Sequence, residues 1–220
     1  MGETTLGGQF KSLRDVVCEE LRNRIIEGEL RPADRLVERD LADELDVSRI
    51  VVREAIQQLA AEKLVVMVPR RGAQVAPLAE RDVADLFEVR LNLETLAAQR
   101  AAENRTDADL DRLQDLLDSA RQATQAGDLR TATRLNLEFH LALVDASGNA
   151  LLASIVHSLS GPVRRVFRIA QDTTPEDLIT DHVELLEAVR ARDAGRAGKL
   201  AYAHIEATRS PALERVASAQ

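Results

Sequence analysis

The chain has 220 residues, of which 45% are hydrophobic, 30% charged and 2% aromatic, and its formal net charge at pH 7 is −8. This length allows one large or two smaller domains, and the lack of an apolar run of about 18 residues excludes a spanning helix. The acidic balance and the scarcity of aromatic residues argue against a protein that coats nucleic acid or stacks on single strands. A single cysteine, Cys18, and a polar beginning predict a cytoplasmic protein without disulfides.

The first predicted domain covers residues 11–77 and follows a leader, residues 1–10, that we expect to be flexible. Its predicted elements are helices over residues 12–28, 41–45 and 48–61 and a β-hairpin over residues 64–75. Ser48 is placed to cap the third helix, because a serine oxygen can accept from the first backbone N–H groups. Three helices and a hairpin indicate a winged helix-turn-helix.

The second predicted domain, residues 78–215, begins after Pro77 and shows helical periodicity without a strand pattern. Six helices are expected, over residues 79–104, 107–126, 128–146, 148–171, 175–192 and 194–212. Their short connections predict antiparallel neighbours in a bundle. The predicted fold class is therefore mostly α, with an N-terminal winged helix-turn-helix and an all-α antiparallel helical bundle.

The second helix of a helix-turn-helix pair usually enters the major groove of DNA. Arg49 and Arg53 lie one turn apart on this helix, where they could contact guanine edges or phosphates. Arg71 and Gly72 fall at the hairpin turn, where a wing would meet the minor groove. Residues 47–76 carry five basic and two acidic side chains, a local charge of +3 in a chain of −8. The pattern favours a DNA-reading surface over its alternative, the solvated face of an amphipathic helix.

Four short runs in this domain are Leu36-Val-Glu-Arg-Asp-Leu-Ala42, Val47-Ser-Arg49, Val52-Arg-Glu-Ala55 and Arg71-Gly-Ala73. Together they resemble the signature of the GntR family of bacterial transcription regulators. The resemblance implies that the DNA-contacting residues are Arg39, Ser48, Arg49, Arg53, Arg71 and Gly72. The chain departs from the family at Pro32-Ala33, which replaces Pro-Gly, and at Ile50-Val51, which replaces Thr-Pro. The lost threonine hydroxyl at Ile50 predicts an operator that differs from the family's usual one.

Three of the four histidines fall on three different predicted helices of the second domain. His140, His182 and His204, with Asn136 one turn before His140, could converge inside the bundle and hold Zn²⁺, Ni²⁺ or Mn²⁺. From spacing alone, the alternative is that each histidine is an ordinary core or surface residue. The remaining histidine, His157, is interpreted as structural.

Further runs in this domain are Asn136-Leu-Glu-Phe-His140, Ala146-Ser-Gly-Asn149, Asp181-His-Val-Glu-Leu-Leu-Glu-Ala188, and Asp193 with His204-Ile205. They resemble the effector-binding FCD domain of the FadR subfamily. The resemblance implies a divalent transition metal on Asn136, His140, His182 and His204, and a cavity-facing Arg90 that would clamp a carboxylate effector. Many members have Asp at the position of Asn136, and a neutral amide is the weaker ligand.

These observations predict a homodimeric, ligand-responsive transcription regulator, a repressor, that binds a palindromic operator and a small carboxylate effector. A metal-dependent enzyme in the helical bundle is the alternative. No Glu-x-x-His pair or His-Glu-x-x-His string occurs. We expect no carboxylate beside the histidines that could serve as a general base. We therefore expect no enzymatic activity.

Overall fold

The computed structural model describes residues 12–169 and 175–218, with only the backbone described at residues 175–178. The leader expected at residues 1–10 lies outside the described residues. The chain divides after Pro77 into two compact units. In the part that is described, no helix combines the length and the apolar character needed to cross a membrane.

The first unit has the predicted winged helix-turn-helix. Its elements are α1 (Leu13–Glu27), α2 (Glu38–Leu45), α3 (Arg49–Ala61), β1 (Val65–Val68) and β2 (Gly72–Val75). The two strands are antiparallel, with Val65 opposite Val75. Ser48 Oγ accepts from the backbone N–H of Val51, as expected of an N-cap, and Gly28 ends α1 in the left-handed conformation. The core between the helices and the hairpin includes Leu21, which is fully buried.

The turn before α2 contains an alanine in a conformation that suits glycine. Ala33 has φ 68°, and the N–H of Asp34 donates to the carbonyl of Arg31 at 3.0 Å. Placing an L-residue in the left-handed region costs roughly 1–2 kcal/mol of conformational free energy. Three backbone hydrogen bonds between residues 33–36 and β2, 2.9 to 3.0 Å long, hold this turn in place. The departure from Pro-Gly in the sequence therefore replaces an unstrained residue with a strained one.

The second unit is all-α over its described residues. Its helices are α4 (Glu80–Asn104), α5 (Asp107–Gln125), α6 (Leu129–Ala146), α7 (Ala150–Ser158), α8 (Ser160–Ile169), α9 (Pro175–Arg190) and α10 (Ala194–Ser218). The single helix predicted over 148–171 is wrong, since the chain breaks at Leu159. Pro162 explains the break, because its ring nitrogen cannot donate to the carbonyl of Ser158 and is tolerated only in a first turn.

Helices α4 and α10 pack closely because small residues line both of them. Ala97, Ala98 and Ala101 on α4 are fully buried, and so is Ala197 on α10. A Cβ added to Gly198 would lie 2.6 Å from Nε2 of Gln99, so this glycine permits the close approach. The resulting bundle brings α4, α6, α9 and α10 around a buried cluster of polar side chains.

Candidate metal centre and nucleic-acid interface

Three buried histidines meet inside the second unit. Nε2 of His182 lies 3.2 Å from Nε2 of His140 and 3.2 Å from Nε2 of His204. One ligand atom from each of the three residues lies within 4.8 Å of the others. The ring of Phe139 stacks on His182 at a centroid distance of 4.4 Å, which fixes the plane of the central imidazole. The structure thus brings together the three histidines that the sequence placed on separate helices.

Carboxylates accept hydrogen bonds from the Nδ1 nitrogens of two of these rings, His140 and His204. His140 Nδ1 is 2.9 Å from Oε2 of Glu94, and His204 Nδ1 is 2.9 Å from Oδ2 of Asp181. Each Nδ1 therefore donates a hydrogen to its carboxylate, and when the imidazole is neutral its Nε2 presents a lone pair toward His182. One N–H on His182 would have to serve two acceptors at once.

A divalent cation satisfies such an arrangement better than a proton does. Nitrogens bound about 2.1 Å from one Zn²⁺ at tetrahedral angles lie roughly 3.4 Å apart, close to the observed 3.2 Å. Carboxylates behind the ligating imidazoles are also the usual support of a histidine metal site. The residues present fit a divalent transition metal. Asn136, half-buried one turn before His140, stays a predicted fourth ligand.

Glu94 links the histidine cluster to Arg90. Arg90 Nε donates to Oε1 of Glu94 at 2.6 Å, while the other carboxylate oxygen accepts from His140. Arg90 also lies between the rings of Phe87 and Phe167, 5.3 Å from each centroid. Both charged side chains are almost completely buried, at 3% and 5% exposure. The prediction that no carboxylate stands beside the histidines is therefore wrong, and Glu94 was not among the predicted residues.

A small cavity of about 10 Å³ borders Arg90, Glu94 and His140. This volume holds about one water molecule. The cavity adjoins the histidine cluster, which is where a ligand could contact a metal and Arg90 together. A carboxylate effector would have to widen it, and Arg90 as the effector clamp stays a prediction.

Two of the three histidines, His182 and His204, have lowered pKa values. Burial lowers the pKa of His182 far below its usual value, and the neighbouring His204 and His140 lower it further. Burial, together with His140, lowers the pKa of His204 to about 4 although Asp181 acts in the opposite direction. Both imidazoles are therefore uncharged near neutral pH, which is the form that binds metals.

We expect the metal-free protein to lose stability as the pH falls from about 6.5 toward 4. The unfolded chain binds protons at His182 and His204 below about pH 6.5, whereas the folded chain does not until the pH is lower, so the loss is about 1.4 kcal/mol per pH unit and histidine. Urea unfolding of chelator-treated protein at about pH 7, 6 and 5 measures this slope. His204→Leu should show a shallower slope, and equal slopes would contradict the expectation.

The fourth histidine, His157, lies outside the histidine cluster. His157 is exposed and its Nε2 lies 2.8 Å from Oδ1 of Asp145, so it joins α6 to α7 on the surface. This agrees with the structural role expected of it.

Glu94 was detectable in the sequence, because Leu91, Ala97 and Ala98 lie three or four residues away from it and place it on the buried stripe of α4.

The predicted DNA-contacting side chains lie on the surface of the first unit. Arg49 and Arg53 are exposed on α3, and Ser48 caps that helix. Arg53 makes three hydrogen bonds of 2.7 to 3.1 Å with Glu38 of α2, so one helix of the pair orients a guanidinium on the other. The Arg53 guanidinium lowers the pKa of the Glu38 carboxyl. This ion pair links α2 and α3 on their exposed side.

The remaining predicted contacts are exposed as well. Arg39 forms an ion pair of 2.9 Å with its neighbour Asp40, and Arg71 is exposed at the hairpin turn. Gly72 begins β2 with φ 81°, and among the described residues other than its chain neighbours no heavy atom lies within 4 Å of where its Cβ would be. The wing tip is thus open for a close approach of the backbone to another molecule.

Two family models match the chain. Residues 13–75 match "Bacterial regulatory proteins, gntR family", and residues 85–207 match "FCD domain". The first match contains the helix-turn-helix and the hairpin. The second contains all three clustered histidines.

Similar proteins match over most of their length. The HTH-type transcriptional regulator LutR of Bacillus subtilis (strain 168) is 34% identical over 201 residues, covering 81% of this chain and 91% of the relative. The HTH-type transcriptional regulator McbR of Escherichia coli (strain K12) is 30% identical over 189 residues, covering 83% and 84%. The solved structure of E. coli McbR/YncC has a TM-score of 0.79 at 26% identity and covers 93% of this chain and 99% of that one.

Proposed function

Since the chain belongs to the GntR family of bacterial regulators and carries an FCD domain, we propose that this transcriptional regulator is a cytoplasmic, homodimeric repressor. It binds a palindromic operator, because closed two-fold symmetry presents two recognition helices to two half-sites. The observation that carries the proposal is the exposed pair Arg49 and Arg53 at the start of α3. The related LutR and McbR are named as transcriptional regulators, which favours this role over an enzymatic one.

The second unit is the effector domain in this proposal. His140, His182, His204 and Asn136 would hold Zn²⁺, Ni²⁺ or Mn²⁺, and a small carboxylate effector would bind the metal and Arg90. When bound, the metal supplies an electrophilic centre for the effector's carboxylate. An effector that prefers one arrangement of the two DNA-reading units would change operator affinity by roughly 5- to 150-fold.

Arg49→Ala should abolish most specific DNA binding. An arginine that reads a base contributes about 1–3 kcal/mol per half-site, so losing two such contacts weakens binding by about 30-fold or more. The measurement is fluorescence anisotropy with a duplex selected by the wild-type protein from random-sequence DNA. Arg81→Ala, which removes an arginine with 89% side-chain exposure in the second unit, is the matched control. Unchanged affinity of a folded Arg49→Ala variant would overturn the proposed DNA-reading role.

A further inference from the structure

We infer that Ile50 reads a thymine methyl group in the major groove of the operator, an inference that rests on the proposed function. Ile50 lies in the first turn of α3, directly after Arg49. It is 65% exposed, whereas the apolar residues Val52, Ile56 and Leu59 of the same helix are buried at 2% or less. The core of the first unit therefore does not use this side chain.

Ile50 lies on the exposed face of α3. Residues 53, 54 and 57, which follow at spacings of three, four and seven, are exposed like Ile50 itself. Ile50 is thus an aliphatic side chain at the N-terminal end of a face that otherwise carries Arg53, Glu54 and Gln57. A helix face that meets only water usually carries charged and polar side chains.

The chemistry of the side chain restricts what it can contact. A sec-butyl group cannot hydrogen-bond a phosphate or a base edge, and the apolar group that bases present in the major groove is the C5-methyl of thymine. The β-branched isoleucine has one strongly preferred rotamer in a helix, so little side-chain freedom is lost on contact. Arg53, held by Glu38, flanks it on the same face. The N-terminal residues of a recognition helix are those that reach base edges.

The test removes the methyl group from DNA and the side chain from the protein in parallel. The full-length wild-type protein selects a duplex from random-sequence DNA, and each symmetry-related pair of thymines is then replaced by deoxyuridine, which lacks only the methyl. We expect one pair at which this change lowers wild-type affinity about fourfold per half-site, roughly 15-fold in all. Ile50→Ala should lose that penalty. Leu151→Ala, an equally simple truncation of a 72% exposed residue in the second unit, should retain it.

The outcomes separate this inference from the function on which it rests. If the wild-type protein selects a duplex and Arg49→Ala weakens its binding, but no deoxyuridine pair changes affinity, Ile50 does not read thymine. A deoxyuridine penalty that persists in Ile50→Ala overturns the inference equally. If no sequence is selected at all, the proposed function fails, and the role of Ile50 fails with it.

Discussion

Glu94→Ala should lower the free energy of unfolding by about 3–5 kcal/mol, which is the usual cost of removing one partner from a buried ion pair. The substitution leaves the Arg90 guanidinium without its carboxylate between two aromatic rings, at 3% side-chain exposure. It also removes the acceptor of His140 Nδ1. Urea unfolding of the metal-free protein near pH 7 measures the loss.

The charge of Glu94 persists under these conditions. Burial alone would raise the pKa of its carboxyl, but Arg90 and His140 outweigh burial and hold that pKa well below its ordinary value. The folded protein therefore contains an ionised carboxylate in its interior across the physiological pH range. Removing it removes a full charge, so the expected loss includes the uncompensated charge of Arg90.

A second ion pair of the same geometry provides the control. Arg134 and Glu138 on α6 share the spacing, the order along the helix and the 2.6 Å distance of Arg90 and Glu94, but their side chains are 50% and 40% exposed. Glu138→Ala should cost only about 0.3–0.5 kcal/mol. The double variant Arg90→Leu/Glu94→Leu should recover the part of the loss that comes from the uncompensated charge of Arg90, because apolar replacement of both charged partners is often neutral. His140 Nδ1 still lacks its acceptor in this variant. Similar losses for Glu94→Ala and Glu138→Ala would show that burial is not decisive.

His182→Ala should abolish stoichiometric metal binding. Its ring nitrogen is the one that contacts both other imidazoles, so its loss leaves two histidines and a half-buried amide. Protein purified without chelator should contain about one divalent ion per chain by elemental analysis and native mass spectrometry, and the variant less than a tenth of that. A ligand at about 1,000 times its Kd stabilises by about 4 kcal/mol, so added metal should raise the Tm of the wild type alone.

His157→Ala is the control for this experiment, since it removes an imidazole from the surface of the same unit. It should retain both the metal and the increase in Tm. Equal metal content in wild type and a folded His182→Ala variant would refute the site. A wild-type protein that contains no metal and gains no stability from Zn²⁺, Ni²⁺ or Mn²⁺ would refute it as well.

Local sequence signals predicted the winged helix-turn-helix because several of its boundaries have a physical marker. Ser48 can cap α3, Gly28 can adopt the left-handed end of α1, and Gly72 provides a positive φ at the hairpin. The convergence of the three histidines was a weaker prediction from spacing, which the family resemblance strengthened. Helical periodicity gives the face of a residue on its helix but not the distance between helices.

The predictions from sequence were wrong where packing decides the structure. Pro162 ends one helix and starts another, whereas α10 continues through Pro211 to Ser218, beyond the predicted end at residue 212. Burial of Ala212 and Val216 in an apolar cluster explains why the second proline is tolerated. Glu94 was missed because an arginine and a glutamate four residues apart are typical of a solvated face. Only the apolar neighbours around it indicate the opposite.

The histidine cluster also has a consequence for how the chain assembles. Its contacts join residues that are 42 and 22 positions apart in sequence, on α6, α9 and α10. Bringing these residues together in the unfolded chain costs loop-closure entropy. The unfolded polypeptide therefore presents three separate imidazoles, each with weak affinity for an ion. All three histidines could bind a metal only after α6, α9 and α10 have docked. The bound metal would then stabilise the docked helices against the opening of any one of them.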